Sequence, residues 1–159
     1  MGVLGSGFIN RSAQKITVST NGFNGYVITA TSSGKFIDVQ TGSFILDANG
    51  GGGLTATDTP APGTITAGTA GYGISPCGTR VSTTAPNWGA SGNKVSDNTA
   101  RFSNPWNSGT NSYNATLASY TGGAVANEVT VVRYGATIAA TTPAGTYANV
   151  LTYVTTPTF

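Results

Sequence analysis

Proton-transfer chemistry needs a positioned acid, base or nucleophile, and this 159-residue chain offers few of them. It has no histidine, which removes the commonest general base and every histidine-dependent triad. Its acids are Asp38, Asp47, Asp58, Asp97 and Glu128. A two-carboxylate glycosidase is formally possible with them, but no spacing pairs any two. Cys77, in Ser75-Pro76-Cys77-Gly78, could serve as a nucleophile or an intermolecular crosslink. Without an activating histidine it reads better as a small, partly buried apolar residue. The expectation is a chain with no catalytic residue, no cofactor and no enzymatic activity.

Binding residues are more numerous. Asp47-Ala48-Asn49-Gly50-Gly51-Gly52, with Asp58 following, loosely echoes a calcium loop. Calcium wants six to eight oxygens and an EF-hand wants flanking helices and a bidentate Glu, so no metal site is assigned. Trp88, Trp106, Tyr113 and Tyr120 sit in turn-rich, polar surroundings. There they could stack on sugar faces, although capping the ends of an apolar core is the favoured reading. Lys15, Glu128 and Asn149 lie on three separate strand candidates. A self-formed Lys–Asn amide assisted by a buried acid is conceivable among them, with ordinary surface placement the simpler reading. Two glycosylation triplets, starting at Asn10 and Asn114, arise readily in a Ser- and Thr-rich chain.

These groups must be held by extended segments. Charged residues make up 8% of the chain, against roughly 25% in ordinary domains, and the formal net charge is +2. Seven Tyr, six Phe and two Trp argue against disorder. The weak, scattered positive charge gives no reason to expect a nucleic-acid partner. The single cysteine excludes an intrachain disulfide. No apolar run has the length of a transmembrane helix. Met1 to Ile9 lacks a basic start and a sustained apolar run, so it does not read as a signal peptide.

Short runs of β-formers between Gly, Asn, Pro and Ser recur along the chain, and no long segment has a helical period. Lys15 to Thr20 and Tyr26 to Thr31 read as a hairpin across the two Asn-Gly pairs. Lys35 to Val39 and Ser43 to Leu46 read as a second hairpin across Thr41-Gly42. Further strands are expected at Gly71 to Ser75, Ala100 to Phe102 and Asn114 to Tyr120. Glu128 to Ile138 follows, bent at Gly135, and Thr146 to Thr155 closes the chain. Apolar residues on both faces of that last strand predict a central, doubly covered position. The sum is an all-β, antiparallel two-sheet β-sandwich, Ig-like or jelly-roll-like, of about eight to ten strands. Residues 1–14 would form an N-terminal arm and 15–159 the sandwich.

Three segments are familiar: "ITVSTNGFNGYVITA" (Ile16 to Ala30), "ARFSNPW" (Ala100 to Trp106) and "TPAGTYANVLTYVTTPTF" (Thr142 to Phe159). Together they resemble the C-terminal domain of exported surface proteins of candidate-phyla-radiation bacteria. The "PAGTY" segment more loosely resembles spore-coat and fimbrial subunit domains. The resemblance implies an exported β-sandwich at the cell surface, and it brings no active site with it. The expected function is a non-catalytic structural protein of a filament or surface coat, self-associating or contacting other surface proteins. A glycan-binding adhesive domain using the loop aromatics is the alternative. In the leading reading, Val3, Leu4, Phe8 and Ile9 form an apolar assembly arm that packs on a neighbour or in a groove of its own domain.

Overall fold

A computed structural model describes residues 1–48, 63–82, 104–105 and 114–159. Among them the protein is all-β, with nine strands and no helix. The strands are β1 (Asn10–Thr20), β2 (Tyr26–Ser32), β3 (Phe36–Asp38), β4 (Phe44–Ile45), β5 (Gly71–Cys77), β6 (Ala115–Tyr120), β7 (Val125–Thr137), β8 (Tyr147–Ala148) and β9 (Leu151–Pro157). They form three antiparallel three-stranded sheets ordered β1-β7-β5, β6-β2-β9 and β4-β3-β8. The second and third sheets continue one another, because β2 runs on into β3 and β8 into β9 across short breaks. The result is sandwich-like, one sheet facing a second that is interrupted partway along.

Period-two alternation explains which side chains fill the gap between the sheets. Tyr26, Ile28, Ala30 and Ser32 of β2 are buried, while Val27, Thr29 and Thr31 between them are only half-buried. Val18, Ile74 and Val132 from the first sheet meet Tyr26, Ile28, Ala115, Leu117 and Ala118 from the second in one apolar cluster. A smaller cluster of Phe36, Ile45, Tyr72 and Ala136 joins the third sheet to the far end of β5 and β7. Phe36 and Tyr72 stack there with ring centroids 4.3 Å apart.

Two sides of the sandwich differ. Leaving β4, the chain crosses to the opposite sheet, where the amide of Tyr72 donates to Leu46 and that of Ala48 to Tyr72. After β5 it crosses back, where Ser82 donates to Leu117 and Ser119 to Arg80. These crossings pair the outer edges of β5 and β6. The other side, bounded by β1 and β9, has no such crossing among the described residues.

Four sequence expectations are corrected. Lys15 to Thr20 and Tyr26 to Thr31 do form strands, but not a hairpin: β1 pairs with β7, and β2 pairs with β6 and β9. The Asn-Gly segment is a corner between sheets. Gly25 turns it with φ of 76°, at a point where a β-carbon would collide with the carbonyl of Tyr120. The closing strand is not central: among the described residues β9 pairs with β2 alone, at the edge of its sheet, and it is largely exposed. In β7 the ladder runs straight through Gly135, and the irregularity lies at the other end of the strand. There Ala126 and Asn127 oppose Ser19 alone, Asn127 takes φ of 56°, and its amide donates to the Ser19 hydroxyl. β1 also begins at Asn10, five residues ahead of the strand start expected at Lys15. The Lys35–Leu46 hairpin is present as β3 and β4, and the strand expected at Ala100 to Phe102 lies outside the described residues.

Leu117 is fully buried in the main cluster, so Leu117→Ala is expected to lower unfolding free energy by about 2–5 kcal/mol in urea titration. Val39→Ala, at an exposed turn position, is expected to stay within about 0.5 kcal/mol of the parent.

Candidate functional site

The interruption shared by β2–β3 and β8–β9 creates a polar seam inside the sandwich. The two breaks lie side by side: the Ser33 amide donates to Val150 at 2.9 Å, and the Val150 amide donates to the Ser33 hydroxyl at 3.2 Å. Asn149 fills the space between them. Its side-chain oxygen accepts from Ser32 and Ser33 at 3.0 and 3.2 Å, and its amide donates to Asn104 at 3.3 Å. Asn104, with no exposed surface, donates to the Gly34 carbonyl at 2.9 Å. A broken ladder would leave backbone groups without partners, and these short polar side chains supply them.

From the facing sheet, tyrosines reach into the same seam. The Tyr72 hydroxyl meets Asn149; burial pushes its pKa well up, a shift the Asn149 contact partly opposes. Tyr134, on β7, donates to Gln14 of β1 at 2.8 Å and lies 2.8 Å from the Tyr153 hydroxyl of β9. A phenol has one proton, so Tyr153 must be the donor to Tyr134. Burial, reinforced by Tyr134, raises the Tyr153 pKa. A cavity of about 300 Å³ opens here, on the side bounded by β1 and β9, lined by Gln14, Tyr72, Tyr134, Asn149, Leu151 and Tyr153 with Phe36 and Met1.

Asp47 lies just past this seam and is 6% exposed. Burial raises its pKa from 3.8 to about 6, opposed by the Asn104 amide and the charge of Lys35. Its Oδ1 is buried without a hydrogen-bond partner. The other described acids serve the fold. Asp38 accepts from the Gln40 amide at 3.1 Å and the Thr41 hydroxyl at 2.9 Å, fixing the β3–β4 turn. Glu128 accepts from Thr79 at 2.6 Å and lies 3.9 Å from Arg80. Among the described residues no three His, Cys, Asp or Glu side chains gather as metal ligands.

The residues singled out from sequence are dispersed. Trp88, Trp106 and Tyr113, with Asp58 and Asp97, lie outside the described residues. Tyr120 is occupied: the Arg80 guanidinium lies 4.0 Å from its ring centroid, and its hydroxyl donates to the Gly122 carbonyl. Cys77 is a free, half-buried thiol at the end of β5. Lys15 is exposed on β1, Glu128 faces Thr79 and Arg80, and Asn149 faces serines and Asn104, so these three do not converge. In the arm, Leu4 packs against the smaller cluster and Ile9 is half-buried, while Val3 and Phe8 are exposed. Met1 to Leu4 form one wall of an apolar cavity of about 720 Å³, closed by the 142–149 turn, Phe36 and Ile138.

Sequence reasoning missed the seam itself. Alternation in the last strand does put Tyr153 on one face with Leu151, and the same rule would put Gln14 with Ile16 had β1 been started earlier. Nothing in the sequence signals that Tyr72 and Tyr134 meet them.

Asp47 gives the seam a pH signature. Its folded pKa, about 6, stands above the 3.8 of the unfolded chain, so the native state binds more protons between those values. Stability from this group is therefore highest below pH 3.8 and falls as pH rises through about 6, by at most about 3 kcal/mol. Asp47→Asn is expected to flatten that slope and leave the protein at least as stable at neutral pH. Urea denaturation of both proteins across this pH range checks it, and an unchanged slope would refute it. Comparison with protein-family models, curated proteins and solved structures found no match to this chain.

Proposed function

We propose that this chain is a non-catalytic structural domain of a bacterial cell surface, a subunit of a filament or coat that associates with copies of itself. The observation that supports it best is the edge of β9. Among the described residues β9 has a partner, β2, on one side only. Its sequence, Leu-Thr-Tyr-Val-Thr-Thr-Pro, carries no charge. Edge strands of monomeric proteins are usually guarded by charges, bulges or covering segments, because an open edge accepts another strand. β1 has Arg11 and Lys15, and β5 and β6 are covered by chain crossings. Among the described residues β9 is left with only its terminal proline.

Exposed apolar side chains add to this reading. Val150 and Val154, 65% and 49% exposed, lie on the outer face of β9 and just before it. Phe23 and Phe159 are 87% and 80% exposed, at one end of the sandwich where Asn24 and Gly25 pair with Thr158. Val3 and Phe8 are exposed toward the opposite end, consistent with an arm that engages a neighbour while Leu4 anchors it. The resemblance of the first hairpin-like segment and the C-terminus to exported surface domains points the same way. The absence of histidine, together with Asp38 and Glu128 being held in structural contacts, supports a role without catalysis.

Purified protein at rising concentration is expected to form oligomers or polymers by light scattering and electron microscopy. The double variant Thr152→Lys, Val154→Lys, which places two like charges on the exposed strand, is expected to shift it to monomer with unchanged circular dichroism. A wild-type chain that stays monomeric at millimolar concentration would overturn the proposal.

A further inference from the structure

The tyrosine-lined cavity has a chemistry that the assembly role does not use. None of its lining side chains is acidic or basic: they are Gln14, Asn149, three tyrosines and apolar residues. Its polar groups form a directed relay in which Tyr153 donates to Tyr134 and Tyr134 donates to Gln14. Each end of the relay keeps an unused function. The Tyr153 oxygen retains acceptor capacity, and the Gln14 amide nitrogen, whose oxygen alone is engaged, retains its donors. A ligand spanning these ends must both donate and accept, and it must present apolar C–H surface to the rings of Tyr134 and Tyr153.

A charged ligand is disfavoured, because its desolvation would find no opposite side-chain charge in the cavity. A purely apolar ligand would strand the relay ends. Hydroxyl groups around a ring with C–H faces satisfy both conditions. The volume of about 300 Å³ stands at the lower end of small-molecule sites, which suits one ring rather than a chain of them. The mouth lies between β1 and β9, the side of the sandwich that no described crossing covers.

We propose that the cavity between β1 and β9, built by Gln14, Tyr72, Tyr134, Asn149 and Tyr153, binds a single neutral sugar ring. The site is separate from the loop aromatics considered from sequence, and it goes beyond the assembly role.

The test uses the whole chain with glucose, galactose and N-acetylglucosamine as probes, read by saturation-transfer NMR and calorimetric titration up to about 50 mM, a range that captures weak millimolar binding. At least one of these sugars is expected to bind saturably. Tyr153→Phe keeps the ring and removes the relay's first donor, and Gln14→Leu keeps bulk and removes the other end. Each is expected to weaken binding roughly tenfold or more with circular dichroism unchanged. Val39→Ala, at an exposed turn outside the cavity, is expected to leave affinity unchanged. Glucuronate is expected to bind at least about tenfold more weakly than glucose, because no basic side chain lines the cavity to receive its carboxylate. No saturable binding by any of the three sugars, binding indifferent to both relay variants, or equal binding of glucuronate would each overturn the proposal. Oligomeric state is measured in the same samples, so sugar binding by a monomer would count against the assembly role alone.

Discussion

The central strand β7 is the constraint on which the rest of the molecule depends. It is paired along most of its length with β1 on one side and β5 on the other, and Thr130, Val132 and Ala136 are buried on its inward face. Everything else is arranged by what that sheet must cover. The facing sheet brings Ile28 and Leu117 against Val132 and Ile74, and burial of side chains of this size contributes roughly 1.5–3 kcal/mol each. With only 8% charged residues, the chain has few ionic contacts to add, so this inter-sheet packing and the strand ladders carry the fold.

The packing is not uniformly apolar. Where the facing sheet breaks, Asn104, Asn149, Ser32 and the tyrosines substitute a hydrogen-bonded network for hydrocarbon. Such a network stabilises only when nearly every group finds a partner, since an unmet polar group in the interior costs about 1–3 kcal/mol. Beside the seam that condition fails at Asp47, with one oxygen unpartnered and its pKa raised by burial. The seam thus specifies how the two sheets align, and it also makes this part of the core sensitive to protonation.

The fold class was legible in the sequence because alternation is a local signal. Tyr26 to Thr31 and Asn114 to Tyr120 could be read from their own residues, and the structure places strands there. Pairing was not legible. The Asn-Gly pairs at Asn21 to Gly25 carry the local signature of a hairpin, yet the ladder partners of β1 lie more than a hundred residues away, in β7. The same limit hid the seam: Gln14, Tyr134 and Tyr153 are individually ordinary, and only the long-range register brings them together. The last strand misled for a related reason. Its Val150 and Val154 imply a covering layer when read alone, whereas the described structure leaves them exposed at an edge.

The chain enters β1 at Asn10, beside the end of β7, and leaves β9 at Pro157, beside the start of β2. These two points stand at opposite ends of the sandwich, and the strands between them run along its long axis. A pull exerted between them would load the β1–β7 and β2–β9 ladders in shear, so that many hydrogen bonds resist together rather than unzipping one at a time. The order of the strands therefore sets both ladders in the geometry that shares such a load among many hydrogen bonds.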